Sequence, residues 1–215
     1  MFELKDKIVV ITGAAGGLGR AFAQAFVAQG AKVVVCDKNY SGAQETAQML
    51  GGMALEVDVT SEQSVEKMAN EVLATFGKID ILVNNAAIYA TIQRKAFYEL
   101  TEAEWDLVLD VNLKGVWLVS KAVCRSMRAN NYGKIINISS ATVMSGSPNW
   151  SHYVASKGGV IGLTRSMAKE LGDFNINVNA IAPGFTLTEA SLGLMENAAK
   201  YGVDRGAIKL SLIHI

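Results

Sequence analysis

The run Ile8-Val9-Val10-Ile11-Thr12 followed by Gly13-Ala14-Ala15-Gly16-Gly17-Leu18-Gly19 restricts the fold of this chain more than any other stretch. Five consecutive β-branched residues read as a short buried strand. Leu18, Ala21, Phe22, Ala25 and Phe26 then recur at helical spacing, with Gly30 as a stop. A strand that turns through glycines straight into a helix lets the backbone approach an anion. The helix N-terminus there offers N–H groups and the positive end of its dipole. The spacing is GxxxGxG rather than GxGxxG, and no Gly-Lys-Ser/Thr ends the loop, so a P-loop is excluded.

The same alternation continues along the chain. Strands are predicted at Lys32 to Cys36, Met53 to Val57, Ile79 to Val83, Lys134 to Ser139 and Ile176 to Ile181. Helices between them are predicted to start at the capping pairs Ser41/Gln44, Thr60/Gln63 and Thr101/Glu104. One long helix runs through Trp105, Val108, Leu109, Val116, Val119 and Val123, and another from Tyr153 to Leu171. Nearly continuous apolar strands separated by helices define an α/β protein with a parallel sheet covered on both faces. Right-handed crossovers make it a doubly wound, Rossmann-type sheet in a single domain. No linker, repeat or low-complexity segment divides it.

Charge and cysteines narrow the partners. Twenty basic and twenty acidic residues leave a net charge of zero, which speaks against nucleic acid or an acidic membrane as the main partner. The N-terminus has no apolar signal core and no apolar run reaches the length of a membrane span. Cys36 and Cys124 match no metal spacing and read as free thiols. These features imply a cytoplasmic protein without a structural or catalytic metal.

Asp37 ends the second strand, 18 residues after Gly19. A carboxylate there can hydrogen-bond both ribose hydroxyls of an adenosine and repels a 2′-phosphate. NAD is therefore expected over NADP, although Lys38 follows and offers a positive charge. Asp58, at the end of the third strand, is placed to meet an adenine amino group.

Tyr153 and Lys157 lie four residues apart, on one face of the predicted helix. A phenol titrates near pH 10, so proton exchange near neutrality asks for a downward shift of about 3 units, roughly 4 kcal/mol. A nearby ammonium and a cationic nicotinamide act in that direction. Ser140 ends the fifth strand, and its hydroxyl can share a carbonyl oxygen with the phenol, polarising it for hydride attack.

Together these segments resemble the short-chain dehydrogenase/reductase family. Thr12-Gly13 to Gly19 is similar to that family's cofactor loop, and Asp58-Val59 to its adenine-site pair. Asn84-Asn85-Ala86-Ala87 resembles its Asn-Asn-Ala-Gly segment, with Ala87 in place of the glycine. Asn112, within Val111-Asn112-Leu113, falls on its asparagine position, and Pro183-Gly184-Phe185-Thr186-Leu187-Thr188 on its nicotinamide segment.

The resemblance implies hydride transfer between NAD(H) and a secondary alcohol or ketone. Tyr153 is then the general acid/base and Lys157 lowers its pKa and binds the nicotinamide ribose. Ser140, rather than Ser139, holds the substrate oxygen. Asn112 keeps a water in a proton relay. The cofactor is met by Gly13, Gly16, Gly17, Leu18, Gly19, Asp37, Asp58, Val59, Asn85, Ala86, Tyr153, Lys157, Pro183, Gly184, Thr186 and Thr188. Tyr89, Trp150 and His152 are candidates for the substrate cleft, set against ordinary packing.

Two other readings stand beside this one. A 3-oxoacyl-carrier-protein reductase belongs to the same family; its usual NADPH is disfavoured by Asp37, and Lys121, Arg125 and Arg128 make only a thin docking patch. A non-catalytic dinucleotide-binding fragment would have no use for the Asn112, Ser140, Tyr153 and Lys157 set. The resemblance also implies a homotetramer for the full-length protein. It covers residues 1–190; residues 191–215 are expected to hold a partial substrate lid and an atypical tail, with the family's seventh strand missing and the sixth left as an open edge.

Overall fold

A computed structural model describes residues 4–186, residue 188 and the backbone of residues 212–214. Strand β1 (Ile8–Thr12) is wholly buried and leads into α1 (Gly17–Ala28). Then follow β2 (Lys32–Asp37), α2 (Tyr40–Leu50), β3 (Met53–Glu56), α3 (Glu62–Phe76) and β4 (Ile81–Asn84). The second half holds α4 (Glu102–Leu109), α5 (Gly115–Ala129), β5 (Gly133–Ile138), the short α6 (Thr142–Ser145), α7 (Ser151–Leu171) and β6 (Ile176–Pro183). A three-residue β7 (Leu212–His214) completes the sheet.

The strand order is β3-β2-β1-β4-β5-β6-β7. The first six are parallel, and the order reverses between β1 and β4. Such a reversal opens a crevice at the carboxyl ends of the strands. Thr12 and Asn84 end β1 and β4 on either side of it. One apolar layer, including Val10, Leu82, Val119, Met127 and Ile135, covers one face of the sheet; the other holds Val9, Ile11, Ala23, Val33 and Ala43. This is the doubly wound α/β sandwich predicted.

Three local features depart from expectation. Helix α2 is capped by Asn39, which accepts from Gly42 N–H, rather than by Ser41. Helix α3 is capped by Ser61, because the Thr60 N–H and hydroxyl both donate to Asp58. The Thr101/Glu104 capping box forms as predicted. The long helix is broken by a π turn at Asp110–Lys114, where Gly115 packs so closely on Val59 that a Cβ would lie 2.8 Å from its methyl group.

The sixth strand is not the open edge expected at its end. Leu212–His214 pairs antiparallel with Ile181–Pro183. An antiparallel partner needs no crossover helix, so a short returning segment suffices. The remainder of the expected lid and tail lies outside the described residues.

Buried polar groups lock the layers. Asp80 accepts the Ile8 N–H at 2.9 Å and is flanked by Lys7 and Lys78. Asn84 donates to Ser120 and to Asn137, and Asn137 donates to Thr164 on α7. Helix α7 is thereby tied to the strands that end at the crevice.

Candidate active site

The glycine loop is built for close backbone approach. Gly13 has φ +65°, and a Cβ on it would lie 2.7 Å from Ala86 Cα. A Cβ on Gly19 would lie 2.3 Å from the Gly13 carbonyl oxygen. Asn85 clamps the turn, donating through Nδ2 to the carbonyls of Thr12 and Gly13, while the Thr12 hydroxyl accepts from Asn85 and Ala86 N–H. Ala87 has no left-handed φ, so its methyl is tolerated where the family has glycine.

Helix α1 begins with Gly16 as N-cap, with no side-chain cap and no acid in its first turn. Most helices carry an acid or cap there to meet the dipole. Its absence fits an end meant for a ligand's phosphates. Leu18 lies in the same first turn.

Asp37 holds the loop from the far side. Its carboxylate accepts from Ala15 N–H at 3.0 Å and from Asn39 N–H at 2.9 Å. The Lys38 ammonium turns away to Asp58, 2.7 Å distant. That contact, with the Thr60 bonds, holds the Asp58 carboxyl down to about 2. Val59 follows, buried against Gly115.

The second cluster sits at the ends of β5 and β6. Tyr153 and Lys157 are both buried on the first turns of α7. The Lys157 ammonium donates to the Ile138 carbonyl at 2.8 Å and lies 5.9 Å from the Tyr153 ring centroid. Burial pulls Lys157 down to about 8. Burial pushes the Tyr153 phenol up to about 12, with the Ser140 hydroxyl working against the rise. The downward shift expected for the phenol is thus not what the protein alone produces. Desolvation disfavours both charged forms, and the phenol is held as a proton donor.

Ser140 and Ser139 face different partners. Ser139 donates to the Lys157 carbonyl at 2.8 Å and is used up in packing. The Ser140 oxygen accepts from the hydroxyl and N–H of Thr142, at 2.9 and 3.3 Å. Its own proton is left to point at a further acceptor. The Ala141 N–H donates to the Pro183 carbonyl, which brings Pro183 and Gly184 beside this serine. Thr186 bonds back to Gly184, and the Thr188 side chain lies over Gly17.

Asn112, in the π turn, is fully buried and bonds both backbone groups of Ile88 as well as Ser156. Ser156 donates to the Tyr153 carbonyl at 2.7 Å. Tyr89 reaches Thr188 across the crevice at 3.4 Å, and its ring lies 6.5 Å from that of Tyr153. Trp150 stacks on Tyr153 at 4.4 Å. His152 is enclosed completely, which removes it from direct substrate contact.

Two contributors were not singled out from sequence. Thr142 stands two residues after Ser140, the spacing of a hydroxyl-capped turn. Ser156 stands three after Tyr153, on the same helix face.

A doubly wound sheet with a phosphate cradle at the switch point and a Ser-Tyr-Lys set above it defines a dinucleotide-dependent oxidoreductase. The family model described as short chain dehydrogenase matches residues 7–199, and the chain belongs to that family. It is 37% identical over 197 residues to the 3-oxoacyl-[acyl-carrier-protein] reductase of Escherichia coli K12, covering 91% of this chain and 80% of that one. It is 37% identical over 205 residues to an NAD-dependent glycerol dehydrogenase of Listeria innocua, covering 94% and 79%. Among solved structures, levodione reductase superposes with a TM-score of 0.87 at 34% identity, covering 91% and 78%. The family's nicotinamide dinucleotide is the group this cradle fits. No helix among the described residues is long and apolar enough to cross a membrane, and they contain no group of three metal-ligating side chains.

Proposed function

We propose that the protein interconverts a secondary alcohol and a ketone by hydride exchange with NAD(H). The observation that carries this reading is the burial of Tyr153 and Lys157 together beside the donor-ready Ser140. The bound nicotinamide supplies or accepts the hydride. In reduction, Ser140 and Tyr153 donate hydrogen bonds to the carbonyl oxygen, drawing electron density from the carbon. The Tyr153 proton passes to the developing alkoxide. Lys157 holds the ribose hydroxyls and, as an ammonium, favours the resulting phenolate. Asn112 and Ser156 fix the turn from which a water can return the proton. In oxidation the same steps run backwards.

Gly13, Gly16, Gly17, Leu18 and Gly19 take the diphosphate, and Asp37 takes the adenosine ribose. Asp58, Val59, Asn85 and Ala86 line the adenosine side, and Pro183, Gly184, Thr186 and Thr188 the nicotinamide side. The preference for NAD is supported by Asp37 and by the pairing of Lys38 with Asp58, which draws the Lys38 ammonium away from a 2′-phosphate. Free Cys36 and Cys124 suit a reducing, cytoplasmic setting. The half-exposed Trp105, Leu107 and Trp117 on α4 and α5 support assembly into a homotetramer.

The test is Tyr153→Phe. Turnover of a ketone panel is expected to fall by at least about 10³-fold, with NADH still bound as read by its fluorescence. Retained turnover would remove Tyr153 from the mechanism.

The second reading, a 3-oxoacyl-carrier-protein reductase, is favoured by the names of several relatives. Against it, Lys121 is engaged by Glu62 and Arg128 lies over Phe174, so the basic docking patch is thinner still. Faster turnover of a carrier-protein-linked 3-oxoacyl group with NADPH than of free ketones with NADH would decide for it.

A further inference from the structure

The loop between β4 and α4 places a guanidinium next to the stacked rings of Trp150 and Tyr153. The Arg94 guanidinium carbon lies 4.3 Å from the Trp150 ring centroid, and Trp150 stacks on Tyr153 at 4.4 Å with an interplanar angle of 21°. Two groups at those distances occupy opposite faces of one indole. Arg94, Trp150 and Tyr153 therefore form a three-layer stack that starts at a cation and ends at the reacting phenol. Ile88, Tyr89 and Ile92 pack against its aromatic layers.

Arg94 has no carboxylate or hydrogen-bond partner among the described residues. The neighbouring Lys95 is matched by Glu104, so the local acid is already taken. Arg94 Nε is buried without an acceptor. The described residues hold six buried side-chain polar atoms with no partner, and five of them lie on Arg94, Trp150, Ser151 and His152. Buried unpaired polar atoms are rare enough to need a reason. Stacking on an indole stabilises a guanidinium only in part, and desolvation pulls this one below its ordinary pKa. A planar cation, desolvated on one edge and unmatched among the described residues, suits a two-point contact with an oxyanion.

We propose that Arg94 recognises an oxyanionic group, carboxylate or phosphate, on the substrate, and that the natural substrate is an anionic ketone or alcohol. This rests on the alcohol/ketone reading above and adds the class of molecule. Because an indole separates Arg94 from Tyr153, the anionic group sits several bonds from the reacting carbon. An anion directly beside the carbonyl would not reach. Medium-length oxo acids and oxo-alkyl phosphates fit, and short 2-oxo acids do not. Arg94 is a specificity-determining residue; the proton and hydride steps are left to the groups already named.

The experiment measures equilibrium binding to the full chain saturated with NADH, read by tryptophan and nicotinamide fluorescence. The probes are 5-oxohexanoate, its methyl ester, pyruvate and an oxo-alkyl phosphate of similar length. Wild type is expected to bind the oxo acid or the phosphate roughly 10- to 100-fold more tightly than the ester. Arg94→Met keeps the stem against Trp150 and is expected to erase that margin, whereas Arg94→Lys restores part of it. Tighter phosphate than carboxylate identifies the source of the anion. Equal affinity for acid and ester in wild type, an unchanged margin in Arg94→Met, or no anion-dependent binding at all overturns the proposal. Loss of NADH binding or an active Tyr153→Phe would instead count against the oxidoreductase reading itself.

Discussion

Asn112 bonds Ile88 the way a neighbouring strand would: its Oδ1 accepts the Ile88 N–H at 2.9 Å and its Nδ2 donates to the Ile88 carbonyl at 3.2 Å. One side-chain amide thus satisfies both backbone groups of a residue just past β4, where no strand continues. The π turn makes this possible. An extra residue in the helical turn redirects a side chain, and such bulges gather at functional sites. Asn112 also reaches Ser156, so the loop bearing Tyr89 and Arg94 is tied to the helix bearing Tyr153.

Asn112→Ala should therefore act on stability as well as rate. It leaves two backbone groups of Ile88 unmade, at about 2 kcal/mol together. For a chain of this size that is a fall in Tm of roughly 4–8 °C. Asn112→Asp keeps the acceptor but sets a buried carboxylate against the Ile88 carbonyl, and should lower Tm at least as far. Thermal unfolding by circular dichroism checks the order; an unchanged Tm in Asn112→Ala would leave the contact without energetic weight.

The pKa values of Lys157 and Tyr153 set a pH window. Lys157 sits at about 8 against an ordinary 10.5, so the unfolded chain binds more protons between these values. Stability then rises with pH across that window, as deprotonation relieves the buried charge. The rise relative to Lys157→Met should approach roughly 3 kcal/mol by denaturant unfolding. Tyr153 has the opposite sign. Its pKa is raised from 10 to about 12, so its contribution is lost as pH climbs between them. Activity follows the lysine. In the proposed mechanism the ammonium is the donor for the ribose hydroxyls, so kcat/KM for NADH should fall above about pH 8. A profile flat to pH 10 would contradict this.

Gly19→Ala tests the cradle. The added methyl would meet the Gly13 oxygen at 2.3 Å and Ala14 Cα at 2.7 Å, both backbone atoms that cannot rotate away. The cost is about 1–3 kcal/mol, with NADH affinity lost alongside. Gly162→Ala, on α7 with nothing within 4 Å, is the counterpart and should gain about 0.5–1 kcal/mol. If Gly19→Ala binds NADH like wild type, close approach at this glycine is not required.

The sequence made the sheet legible because its strands are β-branched and fully buried, as Ile8–Thr12 shows. Tyr153, Lys157 and Ser140 were legible through their spacing. What escaped was set by contacts distant in sequence. The π turn has no local signature, since Asp110–Lys114 fits an ordinary helix and is displaced by Gly115 packing on Val59. Ser41 and Thr60 lost their capping roles to Asn39 and Ser61 because competing donors and acceptors were one or two residues away. The direction of the Tyr153 shift reversed because spacing reports a neighbour's charge but not the burial of both groups. Nothing in the chain order links Arg94 to Trp150.

Asp37 carries the last prediction, and its geometry complicates the simple form. The carboxylate already holds Ala15 and Asn39 N–H, so it supports the loop in addition to the ribose contact proposed for it. Asp37→Ala should lower the NAD over NADP ratio of kcat/KM by at least about tenfold, chiefly through weaker NAD use. Asp37→Asn retains an acceptor for the loop and removes the charge. If charge governs the choice, Asp37→Asn relaxes discrimination against the 2′-phosphate while keeping most of the stability. If Asp37 serves only to support the loop, the two variants separate in Tm while their cofactor ratios stay at the wild-type value. Parallel titrations with NADH and NADPH, with Tm measured on the same samples, distinguish the two, and an unchanged ratio in both variants would remove Asp37 from cofactor selection.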